Sequence, residues 1–253
     1  MAGATILAVH GLTRDFRGFR AVDRVDLRVA QGTVHALVGP NGAGKTTLFN
    51  LLTGFLRPTA GRIELDGRDV TGLPPERVTR LGVARSFQIT SLFPELSAVE
   101  HVQLALQSGS GLGWRFWRSA KLMRRYRSRA RELLDLVGLI EFADTPADAL
   151  PYGRKRALEL AIALALDPKV LLLDEPTAGM GLEDVDRTVE LISRVREGRT
   201  VVLVEHNMSV VGRLADMVTV LQAGRVLVEG PYEQVRTDER VITAYLGVAD
   251  AAH

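Results

Sequence analysis

A glycine-rich stretch beginning at Gly39 carries the residues with the most specific chemistry in the chain. Residues 39–46, Gly-Pro-Asn-Gly-Ala-Gly-Lys-Thr, fit the pattern G-x-x-x-x-G-K-[ST], which cradles phosphate groups between a strand and a helix. Glycines permit turns that bring backbone N–H groups to phosphate oxygens, and Lys45 adds positive charge beside the β- and γ-phosphates. We therefore predict that the chain binds a nucleoside triphosphate through Gly39, Pro40, Asn41, Gly42, Ala43, Gly44, Lys45, Thr46 and Thr47.

Two carboxylates, Asp174 and Glu175, directly follow the apolar run 170–173. Parallel strands of open α/β folds end at the edge where ligands bind, so both side chains should lie beside the phosphate loop. Asp174 would orient Mg²⁺ through its waters, with the Thr46 hydroxyl as a further ligand. Glu175 would accept a proton from the attacking water. The alternative is a strand that ends in a solvated acidic turn.

Two more polar side chains are predicted to follow strands at the same edge. Gln88 follows the predicted strand 82–87, and His206 follows the apolar run 200–204. Gln88 would orient water or contact Mg²⁺, and His206 would hydrogen-bond the γ-phosphate. A lone Gln or His is often purely structural, so the argument for function is their shared position at this edge.

The elements that must position these residues read as an α/β fold. Short apolar runs at 33–38, 170–173 and 200–204 are typical of parallel strands buried on both faces, and helical spacing follows at 45–53 and 182–196. Alternation around Leu27 and Val29, together with runs at 61–65 and 82–87, predicts further strands, and Pro74-Pro75 suits a helix start. Between Ala98 and Leu166 the periodicity is helical, which predicts a helical insertion of about 65 residues in the α/β core.

Composition excludes several classes of protein. The chain has 253 residues, 46% hydrophobic residues and a formal net charge of +2, so no strong global field draws it to nucleic acid or lipid. It has no cysteine, which excludes disulfide scaffolds, thiolate metal sites and a cysteine nucleophile. Because no apolar run approaches the length of a membrane span or a secretion signal, we expect a cytosolic protein.

The order of these motifs resembles that of an ABC-transporter ATPase, and the resemblance covers essentially the whole chain. The discriminating stretch is Leu150-Pro151-Tyr152-Gly153-Arg154, which is similar to the LSGGQ signature of that superfamily. The resemblance implies a P-loop NTPase core with an N-terminal antiparallel β subdomain and an inserted helical subdomain. The expected division is 1–90 and 158–253 for the core, 91–157 for the insertion, and a family-type tail at 230–253 within the core.

The same resemblance implies roles for further residues. In the family, the signature faces the γ-phosphate held by a second ATPase subunit, so the catalytic unit is a head-to-tail dimer that encloses two ATP molecules. Phe16 occupies the place of the aromatic side chain that stacks on adenine, with Val22 near the ribose. The alternative for Phe16 is an ordinary aromatic residue on a surface strand.

The closer resemblance is to the ATPases of branched-chain amino acid importers. The segments Gly82-Val-Ala-Arg-Ser-Phe-Gln88 and Leu150-Pro-Tyr-Gly153, and the tail ending Ala244-Tyr-Leu-Gly247, are similar to theirs. This implies ATP and Mg²⁺ as cofactors and a place on the inner face of the cell membrane. The implied partners are permease subunits, met around Gln88 and the insertion, and indirectly a solute-binding protein outside; nucleic acid is not expected.

Three positions depart from the family pattern. Pro151 stands where the commonest signature has Ser, and Arg154 replaces the usual Gln. Gly181 lacks the aspartate that usually closes the loop 176–181, which communicates between subunits. These departures concern the coupling of the two sites and leave the ability to hydrolyse ATP in place.

Other functions fit the sequence less well. Importers of urea and short amides share much of the pattern, and a lipopolysaccharide-exporter ATPase has a similar tail. The stretch Arg-Ser-Phe-Gln88 and the pair Pro151-Tyr152 favour the importer over the exporter. A soluble ABC ATPase acting on DNA would need a long coiled coil, and one acting on ribosomes would carry two cassettes. A P-loop kinase would not need residues 150–154.

A basic aromatic segment, Trp114–Arg131, contains no acidic residue. It is consistent with a solvated helix face, with a patch that contacts anionic lipid or the permease, and with a nucleic-acid contact.

Replacing Arg124, Arg125 and Arg127 with Glu separates these interpretations of the segment. If it lies at the membrane, the variant should lose binding to anionic liposomes or permease and keep the parental nucleotide affinity. Liposome co-sedimentation and nucleotide titration measure the two properties. Unchanged binding to both partners would leave a solvated face, and salt-sensitive DNA binding by the parent would favour the nucleic-acid contact.

Overall fold

The computed structural model describes residues 3–86, 92–109 and 120–249, and for 120–123 and 246–249 it describes the backbone only. Within these residues the chain forms two β-sheets flanked by helices. The smaller sheet has the strand order β2-β1-β4-β5, and its neighbours pair antiparallel. Its strands are β1 (Thr5–Phe16), β2 (Phe19–Ala30), β4 (Ala60–Leu65) and β5 (Arg68–Asp69). The N-terminal antiparallel β subdomain implied by the family resemblance is therefore confirmed.

The larger sheet has the strand order β10-β9-β3-β8-β7-β6, and all its pairs are parallel except β9 with β10. Its strands are β3 (Val34–Val38), β6 (Val83–Arg85), β7 (Val170–Asp174), β8 (Thr200–Val204), β9 (Met217–Gln222) and β10 (Arg225–Gly230). All five residues of β3 and of β8 are buried, because layers cover both faces of the sheet. The predicted buried parallel strands are confirmed.

The helices cover the larger sheet and form the insertion between β6 and β7. They are α1 (Lys45–Leu52), α2 (Pro75–Arg80), α3 (Ala98–Gly109), α4 (Ala120–Leu136), α5 (Tyr152–Leu164), α6 (Leu182–Val195), α7 (Met208–Leu214), α8 (Tyr232–Val235) and α9 (Glu239–Ala249). Two short 3₁₀ turns, Ile140–Phe142 and Ala147–Ala149, connect α4 to α5. No helix among the described residues is long and apolar enough to cross a membrane.

Alternate residues of the central strands pack into two different hydrophobic clusters. Leu171 and Leu173 join a cluster with the helices of the insertion, and α6 contributes to it. Leu172 and Val202 point the other way and pack with α1 and the antiparallel sheet. Because successive side chains of a strand alternate between faces, β7 and β8 bind both layers and hold the insertion against the core.

Some predicted boundaries were wrong by a few residues. The helical periodicity predicted to run to Leu166 ends with α5, which begins at Tyr152, with Pro151 at its N-cap, and ends at Leu164. Proline is favoured at a helix start because its missing N–H has no intrahelical partner there. Strand β6 spans Val83–Arg85 and is shorter than the predicted strand 82–87. Phe87 and Gln88 lie outside the described residues.

His35, the second residue of β3, makes the sheet sensitive to acid. The Thr219 hydroxyl donates to Glu229 (2.7 Å) and therefore accepts a hydrogen bond from His35 Nε2–H (2.7 Å). Burial of this ring lowers its pKa from 6.5 to about 4. The folded chain consequently binds fewer protons than the unfolded chain between these pH values, so stability falls as pH decreases through this window.

We predict that His35→Gln flattens this pH dependence. The parent should lose up to about 3 kcal/mol of unfolding free energy between pH 6.5 and pH 4, because each pKa unit corresponds to about 1.4 kcal/mol. Urea unfolding at several pH values measures the slope. An unchanged slope in His35→Gln would contradict the prediction.

Candidate functional site

The predicted site residues meet at one edge of the larger sheet. Strands β3, β8 and β7 run parallel, and their register aligns Leu37 with Val204 and Val204 with Asp174. Adjacent strands lie about 4.8 Å apart, so the loops that follow these three strands share the same edge. The structure therefore brings together the phosphate loop, the Asp174-Glu175 pair and His206.

The phosphate loop connects β3 to α1, so the predicted strand–turn–helix order is confirmed. Gly39 has φ 148° and Gly44 has φ 100°, both in the region that favours glycine. A Cβ at either position would also collide with a backbone carbonyl, that of Leu221 for Gly39 and that of Ala21 for Gly44. These two glycines are required for the turn itself and for the close approach of neighbouring backbone.

Lys45 is the first residue of α1 and lies under the loop, with 7% of its surface exposed. Its ammonium donates to the carbonyl oxygens of Gly39 (2.7 Å) and Pro40 (3.0 Å). Burial lowers the pKa of Lys45, and the negative charges of Glu175 and Asp174 oppose that shift. The phosphate loop and the acidic pair are therefore electrostatically coupled, as expected if both contact one polyanionic ligand with its cation.

The carboxylate of Asp174, the last residue of β7, is paired with an arginine side chain. Arg85 of β6 forms an ion pair with Asp174 Oδ2 (2.5 Å) and donates to Asn50 Oδ1 of α1 (2.6 Å). Both charged side chains are largely buried. Sequence reasoning assigned Arg85 no role of its own, because the ion pair depends on the neighbouring positions of β6 and β7 in the sheet.

Glu175 occupies a strained backbone conformation directly after β7. Its φ is 47°, which is uncommon for a residue with a side chain and costs about 1–3 kcal/mol. The Glu175 N–H donates to the Val204 carbonyl (2.9 Å), and its carbonyl accepts from the Ala178 N–H (3.1 Å). These bonds hold the turn at Glu175 in place directly after β7, and a strained backbone conformation of this kind is typical of functional sites.

The structure describes His206 but not Gln88, the other polar residue predicted to lie at this edge. His206 follows β8 as predicted, its side chain is 60% exposed, and its backbone N–H donates to Glu205 Oε2 (3.1 Å). The imidazole is exposed at this edge, and its Nδ1 atom lies 4.0 Å from Glu205 Oε2. Gln88 lies outside the described residues, so its predicted position and its contact with Mg²⁺ stay predictions.

The oxygen donors at this edge fit a magnesium ion that is shared with phosphates. Thr46 is exposed beside the loop, and Asp174 and Glu175 lie close enough to Lys45 to act on its charge. Among the described residues no group of three or more acidic, His or Cys side chains forms a metal cage. One hydroxyl and one or two carboxylates match Mg²⁺, which completes its coordination with phosphate oxygens and water.

The signature-like residues 150–154 open helix α5. Leu150 is buried, Pro151 is exposed at the N-cap, and the guanidinium of Arg154 lies 3.6 Å from the centre of the Phe142 ring. The Tyr152 hydroxyl donates to the Ala178 carbonyl (3.1 Å). Tyr152 thereby joins the insertion to the loop that follows Glu175, and Arg154 is engaged within its own layer.

Behind the signature lies a buried charged pair. Arg156 donates to Glu159 Oε2 (3.2 Å) and contacts the Tyr152 hydroxyl (3.4 Å). Burial raises the pKa of Glu159 to about 7, although the neighbouring Arg156 opposes the shift. Gly153 packs near Asp184 of α6, where an added Cβ would meet the carboxylate at 3.5 Å. The first turn of α5 is thus supported on both sides.

The proposed base-stacking residues differ in accessibility. Phe16, at the end of β1, is 38% exposed, and the Arg14 guanidinium lies 4.5 Å from its ring centre. Val22, on β2 of the antiparallel sheet, is 1% exposed and packs in the core. Phe16 is therefore able to present a ring face or edge to a base, whereas the structure gives the Val22 side chain a packing role.

The basic segment is only partly described, because residues 110–119 and the side chains of 120–123 are outside the description. In the remaining part, Arg127 and Arg131 both pair with Asp144, at 3.1 Å and 2.7 Å, and Arg124 and Arg125 are exposed. Exposed ion pairs of this kind contribute little stability. The three interpretations of the segment therefore stay open.

Sequence reasoning missed Glu205, which is fully buried between β8 and His206. Its carboxylate accepts hydrogen bonds from Thr177 and from the backbone of residues 206 and 207. A charged residue directly after a wholly apolar strand was the available signal, as it was for Asp174.

Comparison with known families agrees with this geometry. The family model described as "ABC transporter" matches residues 22–178, which include the phosphate loop, the signature and the acidic pair. A second model, described as "Branched-chain amino acid ATP-binding cassette transporter", matches residues 225–251. This second match lies in the part of the chain where the family-type tail is expected.

Curated relatives are similar over nearly the whole chain. The high-affinity branched-chain amino acid transport ATP-binding protein BraF of Pseudomonas aeruginosa is 41% identical, covering 96% of this chain and 98% of the relative. LivG of Escherichia coli (strain K12), a protein of the same description, is 39% identical, with coverage of 96% and 98%.

Solved structures show the same fold. The ADP conformation of MJ1267, an ATP-binding cassette of an ABC transporter, superposes with a TM-score of 0.85 at 27% identity, covering 96% of this chain and 99% of that one. A dimeric structure of MJ0796, a bacterial ABC transporter cassette, gives 0.77 at 26% identity, with coverage of 90% and 99%. On the family match, the relatives and the fold together, the chain belongs to the ABC transporter ATP-binding proteins, in the family of branched-chain amino acid transport, and is an ABC transporter ATPase.

Proposed function

We propose that the chain hydrolyses ATP at the sheet edge described above and thereby energises the import of branched-chain amino acids. The observation that carries this proposal is the convergence of the phosphate loop, Asp174, Glu175 and His206 on one edge through the register of β3, β8 and β7. The match to the ABC transporter family supports ATP as the nucleotide. The similar structure of MJ1267 in its ADP conformation supports the same assignment.

In the proposed reaction the phosphates lie on the loop 39–46, where backbone N–H groups and Lys45 hold their charge. Thr46 and Asp174 would hold Mg²⁺, which neutralises charge on the β- and γ-phosphates when bound. Glu175 accepts the proton of the attacking water, and His206 hydrogen-bonds the γ-phosphate. Gln88 is assigned to water or the metal on the sequence pattern alone.

We further propose that the second half of each ATP site comes from another ATPase subunit. Residues 150–154 begin α5, so the backbone N–H groups of its first turn have no intrahelical partner and suit an anion. The Tyr152 contact with Ala178 keeps this helix start in a fixed relation to the Glu175 turn. The match to the dimeric cassette MJ0796 supports a pair of ATPase subunits, formed with a second copy or with a related ATPase.

The substrate assignment rests on the named relatives. BraF and LivG are branched-chain amino acid transport proteins, and the tail has a family model of the same description. We therefore propose that this subunit works on the inner face of the membrane with permease subunits and, indirectly, a solute-binding protein. The core at 1–90 and 158–253 would hold the nucleotide, and the insertion at 91–157 would meet the permease.

Uptake measurements in cells that carry the gene test this assignment. Deletion should abolish high-affinity uptake of labelled leucine, isoleucine and valine and leave urea uptake unchanged. Loss of urea or amide uptake with normal leucine uptake would instead assign the chain to the importers of urea and short amides. A defect in lipopolysaccharide export, with normal uptake of amino acids and of urea, would instead assign the chain to the lipopolysaccharide exporters.

Lys45→Ala should abolish tight ATP binding. The variant loses a fixed positive charge beneath the phosphates, so we expect a loss of about 10²–10³-fold in affinity or in turnover. Titration with a fluorescent ATP analogue and phosphate release measure the two quantities. Lys169→Ala, which removes a surface lysine paired with Asp66, is the control and should behave as the parent. Parental binding and turnover by Lys45→Ala would show that the site is misplaced.

Glu175→Gln should keep ATP affinity and lose turnover. The amide preserves the shape of the side chain but cannot take a proton, and loss of a general base costs about 10²–10⁴-fold in rate. Removing a negative charge beside the γ-phosphate should also prolong the ATP-bound dimer. Gel filtration with Mg·ATP should then show about twice the monomer mass for a self-paired chain, and Mg·ADP should not.

Glu183→Gln, at an exposed carboxylate on α6, is the matched control for that experiment and should retain parental turnover. Parental turnover by Glu175→Gln would move the proton acceptor elsewhere, with His206 the next candidate. Lost turnover without dimer formation would retain Glu175 as the base and favour pairing with a different ATPase.

A further inference from the structure

Glu205 connects the two loops that carry the proposed catalytic side chains. Its Oε1 atom accepts hydrogen bonds from the Thr177 N–H (3.1 Å) and the Thr177 hydroxyl (2.5 Å). Its Oε2 atom accepts from the N–H groups of His206 (3.1 Å) and Asn207 (3.2 Å). One oxygen therefore serves the loop that follows β7, and the other serves the loop that follows β8.

The burial of Glu205 makes this arrangement specific. The residue is 0% exposed, and a buried carboxylate is tolerated only where hydrogen bonds replace its hydration. Four donors do so here, two on each oxygen. An apolar residue would pack at this position without needing them, so the carboxylate is explained by the donors that it holds.

The loop bound by Oε1 contains the strained residue Glu175. Thr177 follows it by two positions, and the left-handed conformation at Glu175 (φ 47°) persists only where surrounding contacts define the turn. Two contacts tie this turn to the end of β8: the Glu175 N–H bond to the Val204 carbonyl and the Thr177 bonds to Glu205. The backbone bond fixes the start of the turn, and the carboxylate fixes its far side.

The loop bound by Oε2 begins helix α7. Asn207 is the N-cap of α7, and its side chain accepts from the N–H groups of Ser209 and Val210. With its own N–H held by Glu205, Asn207 fixes both sides of the helix start. His206 lies between these two anchors, so its backbone is held while its side chain remains exposed.

We propose that Glu205 is a positioning residue that holds the Glu175 turn and the His206 loop in one relative geometry. The proposal rests on the function proposed above, in which Glu175 is the base and His206 contacts the γ-phosphate. It goes beyond that function because Glu205 is fully buried and acts through the two loops. Through Thr177 and Ala178 the same contacts continue to Tyr152, at the start of the signature helix.

The chemistry of the carboxylate makes the proposal testable with one atom changed. A carboxylate accepts hydrogen bonds on both oxygens, whereas an amide has one accepting oxygen and one donating NH₂ group. In Glu205→Gln the NH₂ group would therefore face the hydrogen-bond donors of one of the two loops, and it could not accept their hydrogen bonds. The variant keeps the volume of the side chain and releases one loop from the other.

The experiment measures kcat, KM and ATP affinity for Glu205→Gln and for two variants of its partner, with the full chain purified in each case. Glu205→Gln should lower kcat about 10–100-fold, as expected when hydrogen bonds to a charged group are lost in the transition state. KM and ATP affinity should stay within about twofold, because the phosphate loop is unchanged. Thr177→Val should lower kcat in the same direction, and Thr177→Ser, which keeps the hydroxyl, should restore it.

Combining the variants tests whether the two residues act together. Glu205→Gln with Thr177→Val should lower kcat by less than the product of the two separate effects, because both remove the same contact. Glu229→Gln is the matched control, since Glu229 also accepts a bond from a threonine hydroxyl, in the strand pair β9–β10. This control should have parental kcat and KM.

The outcomes separate this proposal from the function on which it rests. Parental kcat in Glu205→Gln, or a fall in ATP affinity as large as the fall in kcat, would overturn the positioning role. If Glu205→Gln does not fold, the contrast between Thr177→Val and Thr177→Ser decides the question, and equal kcat in the two variants would overturn the proposal. Parental turnover in Glu175→Gln would instead reject the proposed base, whatever Glu205→Gln shows.

Discussion

The parallel pairing of β3, β8 and β7 is the constraint on which the site depends. Their register places Leu37, Val204 and Asp174 in line across the sheet, so the three loops that follow begin side by side. The strands hold this register because alternate side chains are buried in different layers, the helical insertion on one face and the antiparallel sheet on the other. A shift of one strand by one residue would exchange those faces and separate the loops.

Charge balance at this edge follows from the same geometry. Lys45 is buried under the phosphate loop with two backbone carbonyls as its acceptors, and the carboxylates of Asp174 and Glu175 act on it across the edge. Asp174 is in turn paired with Arg85. A ligand that brings phosphates together with a cation can satisfy both the ammonium and the carboxylates, which suits Mg·ATP better than either component alone.

Much of this arrangement could be predicted from the sequence, because its signals are local. A wholly buried parallel strand reads as a continuous apolar run, as at 170–173 and 200–204, and the phosphate loop reads as a fixed pattern of glycines with Lys45. The hairpin β9–β10 was not predicted, although Ala223 and Gly224 form its turn with positive φ. The alternation of buried and exposed residues along its two strands is weak, so the sequence pattern gave no clear strand signal.

The remaining features depend on contacts between distant parts of the chain. The bonds between Glu205 and Thr177 join positions 28 residues apart, and the Arg85–Asp174 pair joins positions 89 residues apart. No spacing rule in the sequence connects such residues, because the contacts arise only when neighbouring strands pair. The burial of Val22 is similar, since this residue of the antiparallel sheet packs in the core cluster that also contains side chains of α1.

A crystal structure of the chain with Mg²⁺ and a non-hydrolysable ATP analogue tests the central claim most directly. The account predicts the β- and γ-phosphates on the loop 39–46, with the Lys45 ammonium moved from the Gly39 and Pro40 carbonyls to phosphate oxygens. It also predicts the Glu175 carboxylate within hydrogen-bonding distance of a water beside the γ-phosphate, while Glu205 still holds Thr177 and His206. Phosphates bound elsewhere, or a Glu175 side chain turned away from the γ-phosphate in a closed site, would contradict it.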